Sequence, residues 1–264
     1  MGAKAIRKAR FLTAHPRCCF CGGGTLATTE DHVPPRTMFR ERHAPEGYSF
    51  PACQPCNSAT RQSEQIMSMI ARISVGNNDP VYEREVKNVM EGVRHNTPEL
   101  FAEMRPRPSD VRRFLRERGL PIPEGKTTAD VPLLRLSGPI ATASVREFAR
   151  KLFLALHYKE TGRIVPHAGA ILWWWWSNLQ AVEGKIPQEI PPMMTGYRKL
   201  ARANRILNDQ FAYRHEISVE GDLGMYMARF NNAFFMTGII MFDEAQITET
   251  PEDRENMLKP FSPI

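Results

Sequence analysis

The chain has 264 residues, 42% hydrophobic and 24% charged, enough to bury a core and unlike a disordered or fibrous sequence. It contains no run of about eighteen apolar residues, which excludes a spanning helix and predicts no membrane partner. Lysine and arginine (35) exceed aspartate and glutamate (29), giving a net charge of +6; that balance suits a polyanion, because basic side chains displace counterions from phosphates, and is also met in proteins that bind none.

The start, Met1-Gly2-Ala3-Lys4-Ala5-Ile6, has neither an apolar signal core nor the hydroxyl at position six that myristoylation favours, so a cytoplasmic protein is expected. Residues 2–17 form a basic arm with Lys4, Arg7, Lys8 and Arg10, read either as a phosphate-tracking segment or as a solvated terminal helix. Residues 18–57 are rich in glycine, proline and polar side chains. Short strands are expected over 25–32 and 48–52, joined by a loop from Pro34 to Gly47 that carries Arg36, Arg40 and Arg42. Beyond Asn57 the pattern turns helical: Ile66, Met69, Ile70 and Ile73 share one face, and Gly76-Asn77-Asn78 is expected to end the helix.

Further helices are expected at 80–95 and 109–119, the second capped by Ser109 or Asp110 and closed by Gly119. Arg112, Arg113, Arg116 and Arg118, beside Arg105 and Arg107, read as a solvated charged face or as a backbone-tracking surface. Pro121, Pro123, Gly125 and Pro132 mark a linker-like stretch, and the chain divides at the sequence level into 1–75, 76–125 and 126–264. A strong helix follows over 142–161, with Phe148, Leu152, Ala155 and Leu156 on one face. The Trp173–Trp176 run reads as core packing plus a partly buried interface, since adjacent indoles must point different ways. From Phe211 the pattern alternates, with a turn at Glu220-Gly221-Asp222 and apolar strands around Met225–Met227 and Phe234–Phe242, so an antiparallel sheet is expected. Residues 248–264 read as a surface tail. The fold class is α+β.

All five cysteines, Cys18, Cys19, Cys21, Cys53 and Cys56, precede residue 57. Two tight clusters with an odd total fit a disulfide framework poorly and a metal site well. Cys18-x-x-Cys21 and Cys53-x-x-Cys56 have zinc-knuckle spacing. Four thiolates would close a tetrahedral structural Zn²⁺ site with no open position for water, leaving Cys19 as a spare thiol. Between the pairs lies Glu30-Asp31-His32-Val33-Pro34-Pro35, and Asn57 follows the last cysteine. A carboxylate beside a histidine on a strand is ordinarily unremarkable, because strand neighbours point to opposite faces. Here the thiol cluster ties the hairpin bearing Asp31 and His32 to the helix bearing Asn57.

A cysteine pair, Asp-His-x-x-Pro, and a second cysteine pair followed by Asn together resemble the ββα-metal, or HNH, endonuclease family, in its zinc-stapled branch. The resemblance covers residues 17–66. It implies an N-terminal ββα-metal module, then a helical region and a C-terminal antiparallel sheet. It implies that Asp31 and Asn57 hold a catalytic Mg²⁺ or Mn²⁺, that His32 is the general base, and that the substrate is nucleic acid, most expectedly DNA. The chain departs from the family pattern in having no clear middle Asn or His; Glu46 and Tyr48 are the nearest candidates. Glu64, on the following helix, is within reach of the metal but is not counted among its ligands, and Arg61 reads equally as a phosphate contact or as part of a solvated helix face. The competing expectation is a zinc-stabilised nucleic-acid-binding module without activity; a third is a protein-binding adaptor acting through the tryptophan run. The region after residue 75 is expected to position substrate, form a homodimer or recruit a protein partner.

Overall fold

The computed structural model describes residues 2–73, 79–122, 124–188, 190–246 and 250–262. The basic arm is a helix, α1 (Ala3–Ala14), followed by a hairpin of β1 (Thr29–His32) and β2 (Ser49–Ala52). The first strand starts four residues later than the sequence pattern suggested. Leu26 makes only an isolated bridge to Arg17, because the chain before Thr29 is spent turning around the first cysteine pair. Cys53 sits at the N-cap of α2 (Gln54–Ala59), and α3 (Arg61–Arg72) continues after a break at Thr60. Ile66, Met69 and Ile70 of α3 are buried as their spacing predicts, while Ile73 is its half-buried C-cap; the turn expected at Gly76-Asn77-Asn78 lies outside the described residues.

Three further helices are α4 (Pro80–Asn96), α5 (Glu99–Met104) and α6 (Pro108–Glu117). Helix α6 opens one residue earlier than Ser109, since proline's missing N–H and fixed φ suit the first helical position. It closes as expected on Gly119 at φ +61°, with the Leu120 N–H reaching back to the Leu115 carbonyl at 2.9 Å. Arg105, Arg107, Arg112, Arg113 and Arg116 are exposed.

The centre of the molecule is α7 (Pro139–Thr161), which starts three residues before the sequence expectation. Its N-cap Gly138 offers no side chain; Glu103, from α5, accepts from the Ile140 and Ala141 N–H groups at 2.9 and 2.8 Å and serves as the cap. Helix α7 is buried around much of its circumference, as a helix packed on both sides must be. One side meets α3; the other lies on a sheet.

That sheet uses β3 (Ala170–Ser177), β4 (Gly196–Tyr197), β7 (Phe211–Ile217), β8 (Leu223–Phe230), β9 (Phe234–Met241) and β10 (Met257–Leu258), while β5 (Ala201–Arg202) and β6 (Arg205–Ile206) form a separate two-residue ribbon. Its order is β10-β3-β9-β8-β7-β4, antiparallel throughout. Gly238 faces α7: a Cβ there would lie 2.5 Å from the Phe153 ring, so the close approach of helix to sheet requires glycine. The tryptophan run is a strand. Trp173, opposite Gly238, is buried, and Trp174, Trp175 and Trp176 are half-buried. The expected surface tail is corrected at residues 257–261: Met257 and Leu258 pair with β3, and Leu258 and Phe261 are buried. Two residues of strand carry no readable periodicity. Most buried apolar side chains, from Cys18 in the first cysteine turn to Phe261 near the C-terminus, belong to one cluster.

His157 of α7 is fully buried, its Nδ1 at 2.9 Å from the Tyr226 hydroxyl, and burial pushes its pKa down to about 4. The unfolded chain binds this proton near pH 6.5 and the folded chain does not, so stability rises with pH between about 4 and 6.5 and is flat in this group outside that window. Native protein is expected to lose up to about 3 kcal/mol from this one group on going from pH 7 to pH 4. Thermal melts of wild type and His157→Gln across that range check it: the variant's curve should be the flatter, and parallel curves would remove His157 from the account.

Candidate functional site

The Cys18–Cys21 turn is built for close approach of sulfur. Gly22 and Gly23 both have left-handed φ, +64° and +73°, and a Cβ on Gly22 would sit 2.6 Å from the His167 ring. The Cys18 N–H bonds the Thr25 carbonyl at 2.9 Å, closing the loop, while the Cys19 N–H bonds Pro51 at 3.0 Å and fastens the turn to β2. The second pair lies at the N-cap and first turn of α2. All four side chains are buried, none forms a disulfide, and their ligand atoms lie within 4.8 Å of one another. Zinc–sulfur bonds of about 2.3 Å in a tetrahedron put sulfurs about 3.8 Å apart, so the donor set fits a Zn²⁺ ion with little rearrangement. A hydrogen bond from Cys56 lowers the Cys18 thiol to about 5, the direction that favours the thiolate a metal binds. Cys19 is buried nearby and stands outside the cluster; burial pushes its thiol well up.

The cluster joins the hairpin to α2, and what it brings together is a cleft of about 400 Å³. Asp31, His32, Asn57 and Glu64 line it, and Arg36, Arg42 and Arg61 stand at its rim. Asp31 and His32 are strand neighbours at the end of β1, and both line the cleft. His32 is half-buried, with Nδ1 at 3.1 Å from the Ser49 hydroxyl across the hairpin. Burial and the nearby Arg36 guanidinium push its pKa below 6.5, so the imidazole is neutral at pH 7. The Asn57 amide donates to Thr29 Oγ1 at 3.3 Å, which turns its carbonyl oxygen away from that bond.

The sequence did not reveal Lys151. Its side chain, 1% exposed, rises from α7 beneath the cleft floor. The ammonium pairs with Asp31 Oδ2, with Glu64 Oε1 at 2.5 Å and with Thr60 Oγ1 at 2.7 Å, and lies 5.5 Å from the centre of the Phe20 ring. Burial alone would lower its pKa, but the two carboxylates, Glu64 more than Asp31, outweigh that and raise it. Burial raises the Glu64 carboxyl against the opposing pull of Lys151. One signal was available: Phe148, Lys151, Leu152 and Ala155 follow the spacing of a buried stripe, and a lysine in such a stripe needs partners. Glu64, not counted as a ligand from sequence, lines the cleft. Glu46 and Tyr48, the nearest stand-ins for the missing middle residue, are engaged elsewhere. Glu46 Oε1 accepts from Ala203 N–H at 3.2 Å, and the Tyr48 hydroxyl is 2.8 Å from that of Tyr213.

Among the described residues the four thiols are the one group of three or more His, Cys, Asp or Glu ligand atoms close enough to share an ion. Of the oxygen ligands lining the cleft, Asp31, Glu64 and Asn57 make a sparse set of the kind Mg²⁺ accepts because it keeps several waters; Glu30 and Gln65 also line it. No helix of the described residues is long and apolar enough to cross a membrane. Comparison with known proteins finds no matching family model, no similar curated protein and no similar solved structure.

Proposed function

We propose that the chain is a metal-dependent nuclease of the HNH type, hydrolysing phosphodiester bonds in nucleic acid, with DNA the first substrate to test. The observation that carries this reading is the meeting of His32, Asp31, Asn57 and Glu64 in one cleft beside a four-thiol cluster. In this reading hairpin and α2 are the ββα module, and Zn²⁺ on Cys18, Cys21, Cys53 and Cys56 is structural. His32 is the base. A neutral imidazole has one bare nitrogen; with its hydrogen on Nδ1, which lies 3.1 Å from the Ser49 hydroxyl and can donate to it, His32 keeps Nε2 bare to take the proton of the attacking water. Asp31, Asn57 and Glu64 would hold the divalent cation. Mg²⁺ or Mn²⁺ bound there would neutralise charge on the leaving oxygen and acidify water. Arg36, Arg42 and Arg61 offer planar donors to phosphate oxygens.

Plasmid, single-stranded and RNA substrates incubated with Mg²⁺ or Mn²⁺ test the proposal. His32→Ala is expected to keep its zinc and melting temperature and to lose cleavage by at least about 100-fold. The acid limb of the pH–rate profile should fall below pH 6.5, since burial lowers the His32 pKa and only the neutral ring accepts a proton. Wild type and His32→Ala that are equally inert on every substrate would end the hydrolytic reading. The second reading, a zinc-stabilised nucleic-acid-binding module without hydrolysis, is favoured by Lys151, whose ammonium already occupies one oxygen each of Asp31 and Glu64.

A further inference from the structure

Beside the first cleft, and sharing Glu30, His32 and Arg36 with it, is a second of about 880 Å³. One of its sides is α1. Arg7, Phe11 and Ala14 follow the i, i+4, i+7 spacing of a single face of α1, His15 is its C-cap, and all four line the cleft. The opposite side is the end of α7, with Tyr158 and Lys159. His15 Nδ1 lies 2.7 Å from the Tyr158 hydroxyl, which ties the two helix ends together. The rings of Phe11, His15 and Tyr158 are contiguous: Phe11 and His15 centroids are 4.9 Å apart, His15 and Tyr158 5.9 Å.

Charge surrounds these rings. Arg7, Arg36, Lys159 and Arg202 line the cleft against Glu30 and Glu46. Lys159 and Arg202 are held by backbone carbonyls, Gly47 at 2.9 Å and Ala44 at 3.1 Å, so neither positive charge is cancelled by a carboxylate there. Arg7 and Arg36 are exposed and make no ion pair among the described residues. Contiguous aromatic rings with unpaired guanidinium groups, opening on His32, match the chemistry of one nucleotide: a flat base beside a phosphate.

We infer that this second cleft is a nucleotide subsite that takes an unstacked base and its flanking phosphate from a single-stranded segment of nucleic acid. In a duplex the base faces are already stacked on one another and only phosphates and groove edges are within reach. Rings recessed in a cleft therefore favour an unpaired strand. The inference names the substrate class of the proposed nuclease and rests on that reading for the passage of the strand past His32. Strand binding itself requires no hydrolysis.

The experiment is fluorescence anisotropy with the zinc-loaded chain and no added Mg²⁺ or Mn²⁺, using labelled oligo-dT, oligo-rU and a blunt DNA duplex. Phe11→Leu keeps the apolar packing and removes the ring; Phe11 is half-exposed, so the fold should be retained. Single-strand affinity is expected to fall about tenfold in Phe11→Leu and to recover in Phe11→Trp, with duplex affinity within about twofold throughout. Arg7→Ala should weaken every substrate similarly and lower the salt slope by about one. Tight binding of either the deoxy or the ribo strand supports the subsite, and their ratio identifies the sugar. Unchanged single-strand affinity in Phe11→Leu, or an equal loss on the duplex, overturns it. Ring-dependent binding without cleavage would leave the subsite standing and the nuclease fallen; cleavage indifferent to Phe11 would do the reverse.

Discussion

Cys53→Ser is expected to abolish stoichiometric zinc and to unfold the hairpin region, with the largest stability loss of any single substitution in the chain. Serine cannot replace a thiolate as a zinc ligand, and three sulfurs in a pocket shaped for four leave the ion open to water. The change also falls at a junction. Cys53 ends the hairpin, caps α2 and, through the cluster, connects both to the Cys18–Cys21 turn. Binding free energies of about 10–16 kcal/mol in zinc-finger peptides show how much such a site can contribute to folding, against a total stability of about 5–15 kcal/mol for a typical domain. Because the cysteines belong to the same buried cluster as α7, the loss should reach beyond the hairpin. Cys19→Ser is the control: its thiol is as deeply buried, so a hydroxyl there costs about 1–3 kcal/mol, yet zinc should remain at one per chain. Metal release measured with a chromogenic chelator, alongside thermal melts, separates the two. Full zinc in Cys53→Ser, or zinc lost from Cys19→Ser, contradicts the ligation.

What was legible from sequence follows the range of the interactions involved. Cysteine pairs, the apolar stripe of α3 and the glycine at the end of α6 are local signals, decided within one or two turns, and the structure has them close to where the pattern puts them. The short first strand was overextended because residues 25–28 have strand-like composition while their backbone serves the cysteine turn. Lys151 was missed for a different reason. It is 87 positions from Glu64, and nothing in a helix's own periodicity says which distant carboxylates will meet a buried ammonium. The same holds for Glu160, which accepts from Tyr213 at 2.5 Å and from Arg198 Nη2 at 2.6 Å, drawing the hairpin's Tyr48 and the sheet into one polar network. The composition of the basic arm fits a phosphate-tracking segment and a solvated helix equally. Only the packing of α1 beside the hairpin shows that Arg7, Phe11 and His15 share a cleft with His32.

Lys151→Met is expected to lower stability by about 3–5 kcal/mol, the usual consequence of removing one partner from a buried ion pair. Methionine fills the volume, so the loss isolates charge: Asp31 and Glu64 would be left facing each other with no cation and little water. Two further measurements then decide what the cleft is for. Lys151→Met/Glu64→Gln removes one positive and one negative charge together, and should recover part of the loss, with the coupling read from the double-mutant cycle. Millimolar Mn²⁺ should raise the melting temperature of Lys151→Met more than that of wild type, because a divalent ion can occupy the space between two carboxylates that the ammonium has vacated, and stabilises in proportion to its occupancy. If Mn²⁺ leaves the variant unchanged, the cleft does not accept a cation even when its built-in competitor is gone, and the metal-dependent chemistry proposed for His32 loses its second component. If Mn²⁺ restores the variant, the balance at the cleft floor between the Asp31 and Glu64 carboxylates and the Lys151 ammonium is what sets how tightly an ion is held there.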